Sequence, residues 1–233
     1  MTMTTESDEA RVAADLNALR DRIADAALMH AAFDGWTDQA LRAAARDAGV
    51  SDLDIYRAFP GGVEELLDHH LLMADRRMVE GILALDLDTM KIREKITRAV
   101  RMRLEAAAPH KEAVRRGFNH LGLPHRGPRA SRALWRTVDL IWRAIGDTST
   151  DFNFYTKRTL LAGVYMSTLL FWLNDRSDDH ADTWAFLDRR IANVMQIEKA
   201  KGRLLGGAGN HANPLQAMRR IGENVRRRRP FRA

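Results

Sequence analysis

Apolar residues recur at every third or fourth position along nearly the whole chain, and such a chain has no two-residue alternation from which to build a half-buried sheet. Leu16, Leu19, Ile23, Ala27 and His30 set the first helical face, which stops at Asp34-Gly35, where glycine takes a left-handed cap. Leu41, Ala44, Ala45 and Ala48 mark a second, short helix ending at Gly49. Ser51 can cap a third, which runs to Phe59 before Pro60-Gly61-Gly62 breaks it. Longer helices are predicted at about 63–87, 89–107, 110–121, 129–145, 151–174 and 182–199. The fold expected is all-α.

Composition narrows the class of protein. The chain has 233 residues, 45% hydrophobic and 29% charged, a balance that suits a packed core with one appendage. With no cysteine, a disulfide framework and thiolate metal ligation are both excluded. The start, MTMTTESDEARV, has neither the apolar run of a secretory signal nor the acid-poor character of a transit peptide, which gives the expectation of a bacterial cytosolic protein. The net charge of +6 is unevenly placed. Residues 199–233 hold ten Lys or Arg against the single acid Glu223, a net +9, so the preceding 198 residues sum to −3. A basic tail follows a mildly acidic body.

The run AARDAGVSDLDIYRAFPGGVEELL resembles the helix-turn-helix of the tetracycline-repressor family, which puts its recognition helix into the DNA major groove. In this chain that helix would be SDLDIYRAF. From Thr37 to Phe59 three arginines (Arg42, Arg46, Arg57) face four aspartates (Asp38, Asp47, Asp52, Asp54), a net charge of −1. Phosphate neutralisation supplies most non-specific DNA affinity, so the head is expected to keep the repressor shape without specific DNA binding.

A second resemblance lies further on. Leu123-Pro124-His125, Trp142, the block from Gly146 to Asn153, Tyr155-Thr156 with Arg158, and Asp182-Thr183-Trp184 with Phe186-Leu187 are similar to the lipid-binding accessory proteins of ubiquinone biosynthesis, the family numbered nine among the coenzyme Q proteins. The resemblance covers roughly residues 20–197 and is most specific from 123 to 190. It implies a tetracycline-repressor-like bundle with a three-helix head and a C-terminal amphipathic helix. It also implies an isoprenoid quinone or related lipid as ligand, a di-iron hydroxylase as partner, a homodimer, and no catalytic activity or cofactor of its own. On this reading residues 1–15 are a disordered N-terminus, 16–60 the head and 61–199 the lipid- and partner-binding body, with a linker at 200–212 and a basic membrane helix at 213–233. Its place would be the inner face of a bacterial cytoplasmic membrane.

Physical reasoning reaches part of this independently. Leu160 to Leu173 is apolar on nearly every side, yet its fourteen residues are too few for a membrane span, which needs about twenty. It therefore reads as a central core helix, the kind that can wall an apolar ligand site. On the residues alone, Tyr165, Met166, Phe171 and Trp172 read as core filling; the resemblance makes Leu104, Leu134, Val138, Leu160, Val164, Tyr165, Thr168, Phe171 and Trp172 the candidate lipid contacts. In GDTSTDFNFYTKR, three aromatics crowd a helix start, where neighbours cover few sides, and an exposed ring there suits a protein contact; rings packed under a neighbouring loop are the alternative. The resemblance assigns the hydroxylase surface to Ile141, Trp142, Asp151, Phe154 and Tyr155.

Catalytic patterns are weak. None of the eight histidines has Glu three residues before it, as a ferritin-like di-iron site requires, and His69-His70 beside Glu64, Glu65 and Asp68 reads as a solvated face. In the tail, Asn213 can cap a helix with Pro214 at its first position. Leu215, Met218, Ile221 and Val225 then fall on one face, with Arg219, Arg220, Arg226, Arg227, Arg228 and Arg229 available for the rest, the pattern of a helix lying on an anionic membrane. A nucleic-acid-binding or disordered tail is the alternative.

Overall fold

The computed structural model describes residues 3–150 and 152–206, with side chains described for 9–150 and 153–196. Helices follow one another as α1 (Met3–Asp34), α2 (Asp38–Asp47), α3 (Asp52–Ala58), α4 (Gly62–Leu83), α5 (Ile92–Glu105), α6 (Lys111–Leu121), α7 (Gly127–Ala144), α8 (Phe152–Asn174) and α9 (Ala181–Gly206). No strand occurs among the described residues. Short 3-10 turns precede α5, α6, α7 and α9. No described helix is long and apolar enough to cross a membrane.

The breaks follow from local chemistry. Gly35 and Gly49 sit at φ +72 and +67, the left-handed region that a side chain resists, and so end α1 and α2. Thr37 and Ser51 cap α2 and α3 by accepting from the backbone N–H of Ala40 and Asp54. Two boundaries differ from the sequence expectation. Helix α1 already runs through residues 3–15, a stretch set aside as disordered, and its Ala, Glu and Arg are good helix formers with acids toward the N-terminal end. Helix α9 carries on to Gly206, into the expected linker, and ends at the first of the paired glycines. Residues 207–233, with the whole expected membrane helix (Leu215, Met218, Arg219, Arg220, Ile221, Val225 and Arg226 to Arg229), lie outside the described residues.

The described residues up to Asp188 form one compact unit, and the remainder of α9, from Arg189 to Gly206, belongs to a second. Within the first unit, the head of residues 16–60 has no core of its own. Ile23, Ala27, Leu41 and Phe59 share one buried cluster with Leu66 and Leu67 of α4 and Ala113 of α6. Full burial of each leucine there contributes about 1.5–3 kcal/mol. Trp36 ties the head down by donating its indole N–H to the Ala113 carbonyl at 3.0 Å. That approach requires Gly117, because a Cβ there would meet Trp36 Nε1 at 3.1 Å.

A candidate ligand cavity and an aromatic surface

Small residues on α6 and α7 leave space beside α8. The result is a mainly apolar cavity of about 160 Å³, walled by α4, α5, α6, α7 and α8 and by Trp36. Of the expected lipid contacts, Leu104, Leu134 and Tyr165 lie on its wall, and α8 adds Met166 and Leu169. The others lie off it. Val138 and Val164 are packed in the interior, and Thr168 is fully buried with its hydroxyl donating to the Val164 carbonyl at 2.7 Å. Phe171 stacks on Phe186 with centroids 4.6 Å apart, Trp172 is buried beneath Lys111 Nζ at 5.0 Å, and Leu160 is half-buried away from the cavity. These six pack against the protein and do not line this cavity. A helix that is apolar on every side carries no periodicity from which to choose its cavity face, so the choice among them needed the tertiary packing.

Polar groups collect at one end of the cavity. Asp75 is fully buried and accepts from Arg103 Nε at 3.1 Å, from the Thr137 hydroxyl at 2.9 Å and from Arg136 Nε at 3.0 Å. Burial works against the Arg103 charge, but Tyr165 and Asp75 beside it more than restore it, leaving its pKa above the ordinary value. Burial raises the Tyr165 phenol. His70 packs its ring 5.3 Å from that of Trp36, and burial, reinforced by Arg103 and Arg77, pushes it down to about 3. It is a neutral imidazole at physiological pH.

The expectation of a solvated face around His69 and His70 is therefore corrected. His69 is buried and bonds Asp21 at 2.6 Å, while His70 faces the cavity. The nearby carboxylates are held in ion pairs, Glu65 with Arg20, Glu64 with Arg126 and Asp68 with Arg129. Helices α1 and α7, together with the turn leading into α7, cover this face of α4, and sequence spacing on α4 alone cannot reveal them. Trp36, His70 and Thr137 are cavity residues that no local pattern singled out.

At the start of α8, Tyr155 is 62% exposed, with its ring 6.3 Å from Trp135 and 5.1 Å from Phe154. Phe154 is half-buried under the Arg158 guanidinium, which lies 3.5 Å from its centroid. Arg158 is itself buried and joins α7 to the loop, bonding Asp139 at 2.6 Å and Asp147 at 3.2 Å. Burial would raise the Asp147 carboxyl, but hydrogen bonds from Lys157, Ser149 and Arg158 hold it down at about 2. Two expected surface residues are corrected: Ile141 is fully buried, and Trp142 is 8% exposed with its indole N–H bonded to the Lys157 carbonyl. They face inward on α7 and support the surface from below. Asp151 lies outside the described residues. Trp135, on the outer face of α7, completes the ring cluster and went unnoticed in the sequence because it sits twenty residues from Tyr155.

The loop before α9 explains another part of the sequence pattern. Asp175 accepts from Ser177 N and Oγ through one oxygen and from Thr183 N and Oγ1 through the other, bonds that hold its carboxyl well below the usual range against the opposing effect of burial. Trp184 donates to the Asp179 carbonyl at 2.8 Å. Asp182-Thr183-Trp184 therefore builds a turn.

The recognition helix of the repressor-like head presents little positive charge. On α3 the exposed side chains include Asp52, Leu53 and Tyr56, and the helix's one arginine, Arg57, lies 3.4 Å from Asp54.

Comparison with known proteins agrees with this geometry. A crystal structure of the TetR transcriptional regulator from Nitrosomonas europaea ATCC 19718 superposes with a TM-score of 0.62 at 24% identity, covering 75% of this chain and 97% of that one. The fold is thus an all-α, tetracycline-repressor-like bundle. A protein of Bos taurus named "Ubiquinone biosynthesis protein COQ9, mitochondrial" is 35% identical over 186 residues, which are 77% of this chain and 58% of that protein. Proteins of the same name from Drosophila melanogaster and Homo sapiens are each 33% identical, over 84% and 77% of this chain and 60% and 58% of their own lengths. The chain thus spans about three-fifths of these relatives. These relatives are named as mitochondrial proteins, which overturns the expectation of a bacterial cytoplasmic-membrane protein; that expectation rested on a missing targeting pattern, and an absence of that kind fixes no compartment. The COQ9 family profile matches residues 127–198, the segment that carries the Arg158 staple, the exposed Tyr155 and the Asp175 turn, and with these relatives it shows a COQ9-family domain in this chain.

Proposed function

We propose that this chain serves ubiquinone biosynthesis as a non-catalytic accessory protein, binding an isoprenoid quinone precursor and presenting it to the di-iron hydroxylase at a membrane surface. The observation that carries this reading is the apolar cavity beside α8, in a protein whose relatives are named for ubiquinone biosynthesis. An apolar cavity with few convergent polar groups suits a lipid with an oxygenated end. The exposed ring of Tyr155 beside Trp135 supports a protein contact, because aromatic anchors dominate interface energetics. The acidic face of α3 disfavours the alternative, a ligand-responsive repressor. The same reading carries a homodimer, which sedimentation at micromolar concentration would detect.

Mass spectrometry of lipid extracted from the purified full chain tests the lipid role. A prenylated ring lipid is expected with the native protein and is lost from Leu134→Trp, which fills the cavity. Recovery of the same lipid from both proteins would overturn the assignment of the cavity. For the partner, Tyr155→Ala should weaken hydroxylase binding by about 2 kcal/mol, the hot-spot range, with little change in melting temperature because the ring is exposed. Unchanged affinity would remove Tyr155 from the interface.

A further inference from the structure

The turn between α6 and α7 joins two walls of the apolar cavity. Leu121 and Gly122 line the cavity just before it, and Ala130 and Leu134 line it just after. The turn itself carries Leu123-Pro124-His125, a motif that takes no part in the cavity wall. All three of these residues are exposed, Leu123 at 44%, so the turn brings little apolar surface to the interior. A segment with few buried apolar contacts opens locally at small cost.

Charge fastens the turn in place. Glu64, in the first turn of α4, pairs through Oε1 with Arg126 Nη2 at 2.7 Å and with His120 Nε2 at 2.9 Å. Arg129, in the first turn of α7, donates to the Glu64 carbonyl at 3.0 Å and pairs with Asp68, one turn further along α4. Burial raises the Glu64 carboxyl, but His120, Arg126 and Arg129 more than offset it, so the group is charged at neutral pH. One side chain of α4 thus reaches the end of α6, the turn and the start of α7.

That fastening is incomplete. Glu64 Oε2 is buried with no hydrogen-bond partner among the described residues, and Arg129 Nε stands off at 3.6 Å. A buried carboxylate oxygen without a donor costs free energy in the closed arrangement, and water removes that cost once the turn swings out. The helices themselves are held elsewhere. Trp36 bonds α6 at the Ala113 carbonyl, and Asp75 bonds Arg136 and Thr137 of α7, so the turn can move while the bundle stays assembled.

Resting on the lipid-binding reading above, we propose that the turn from Gly122 to Gly127 is the gate through which ligand enters and leaves the cavity, and that Glu64 is its latch. Breaking the pairs with Arg126 and His120 frees the turn and parts the wall between α6 and α7. The latch sets how fast ligand exchanges and not how tightly it binds, because it stabilises the closed protein alike whether the cavity is empty or filled.

The experiment uses the full chain and farnesol as the probe, with stopped-flow tryptophan fluorescence reporting through Trp36 in the cavity wall. Glu64→Gln and Arg126→Gln, each checked for its fold by circular dichroism, should raise the association and dissociation rates together by about fivefold, the worth of a partly exposed ion pair, with the ratio of the rates nearly unchanged. Arg116→Gln removes a pair with Glu112 inside α6 and should leave both rates as they are. Rising salt should speed exchange in the native protein by screening the latch, and have much less effect in Glu64→Gln. Native rates in both Glu64→Gln and Arg126→Gln, or a weaker affinity at an unchanged association rate, would overturn the gate and leave Glu64 a packing staple. An equal salt response in the native protein and Glu64→Gln would remove Glu64 as the latch. Failure of farnesol to bind the native chain would instead overturn the lipid-binding reading on which the gate rests.

Discussion

Asp75 offers a sharp test of what holds the interior together. Its carboxylate and the Arg103 guanidinium are 1% and 7% exposed, and Thr137 and Arg136 supply its other two hydrogen bonds. Replacing Asp75 by Ala leaves the largely buried Arg103 charge without its carboxylate partner. Breaking one side of a buried pair costs about 3–5 kcal/mol, and the neighbouring Arg136, 26% exposed, can recover part of its share by turning to solvent. For a chain of this size that corresponds to a fall in melting temperature of roughly 10 °C. The double variant Asp75→Leu with Arg103→Met removes both charges and replaces them by apolar volume, so it should return to within about 1–2 kcal/mol of the native stability. Urea denaturation followed by circular dichroism measures both, with an unchanged slope showing that the same structure unfolds. A cost below about 1 kcal/mol for Asp75→Ala would show that the pair contributes little. A double variant as unstable as the single would show that Asp75 acts through packing and not through the Arg103 charge.

Further outcomes follow from the loops, caps and tail. Asp147 is held at about 2 against an ordinary value of 3.8, so its stabilisation is complete above that ordinary value and is lost as pH falls toward 2. The difference amounts to about 2 kcal/mol, and Asp147→Asn should lose that much at neutral pH and show a flatter acid limb in pH-dependent denaturation. Ser51→Ala removes the side-chain acceptor for the Asp54 N–H and should lower stability by about 1 kcal/mol in the same assay. Full-length protein should float with anionic liposomes at low salt and lose that binding as salt rises, whereas a chain ending at Gly206 should not float; equal flotation of both would remove the basic tail as the membrane anchor. A gel shift with upstream DNA should give no sequence-dependent binding at physiological salt, as the acidic face of α3 requires.

Much of the architecture was legible in the sequence because its causes are local. A three-to-four spacing of apolar residues needs only neighbours on one helix, and glycine at 35 and 49 ends α1 and α2 through its own backbone freedom. Ser51 caps α3 from one position away. The division between basic tail and acidic body is likewise a matter of counting. Local chemistry also made α1 longer than expected, since solvated alanine, glutamate and arginine hold a helix without a core to rest on.

The ligand and partner sites depended on residues far apart in the chain. Asp75 meets Arg103 and Thr137 across 28 and 62 positions, and only that meeting turns three unremarkable residues into a buried ionic cluster. His70 looked solvated within α4 because the helices that cover it come from elsewhere, and it is their desolvation that makes it neutral. Trp142 and Trp135 lie on the same helix, yet one is interior and the other half of an exposed pair, according to where α8 packs. For α8 itself the sequence determined a buried helix; its cavity face at Tyr165, Met166 and Leu169 was decided by α5, α6 and α7, because apolar side chains all around a helix favour burial in every direction equally.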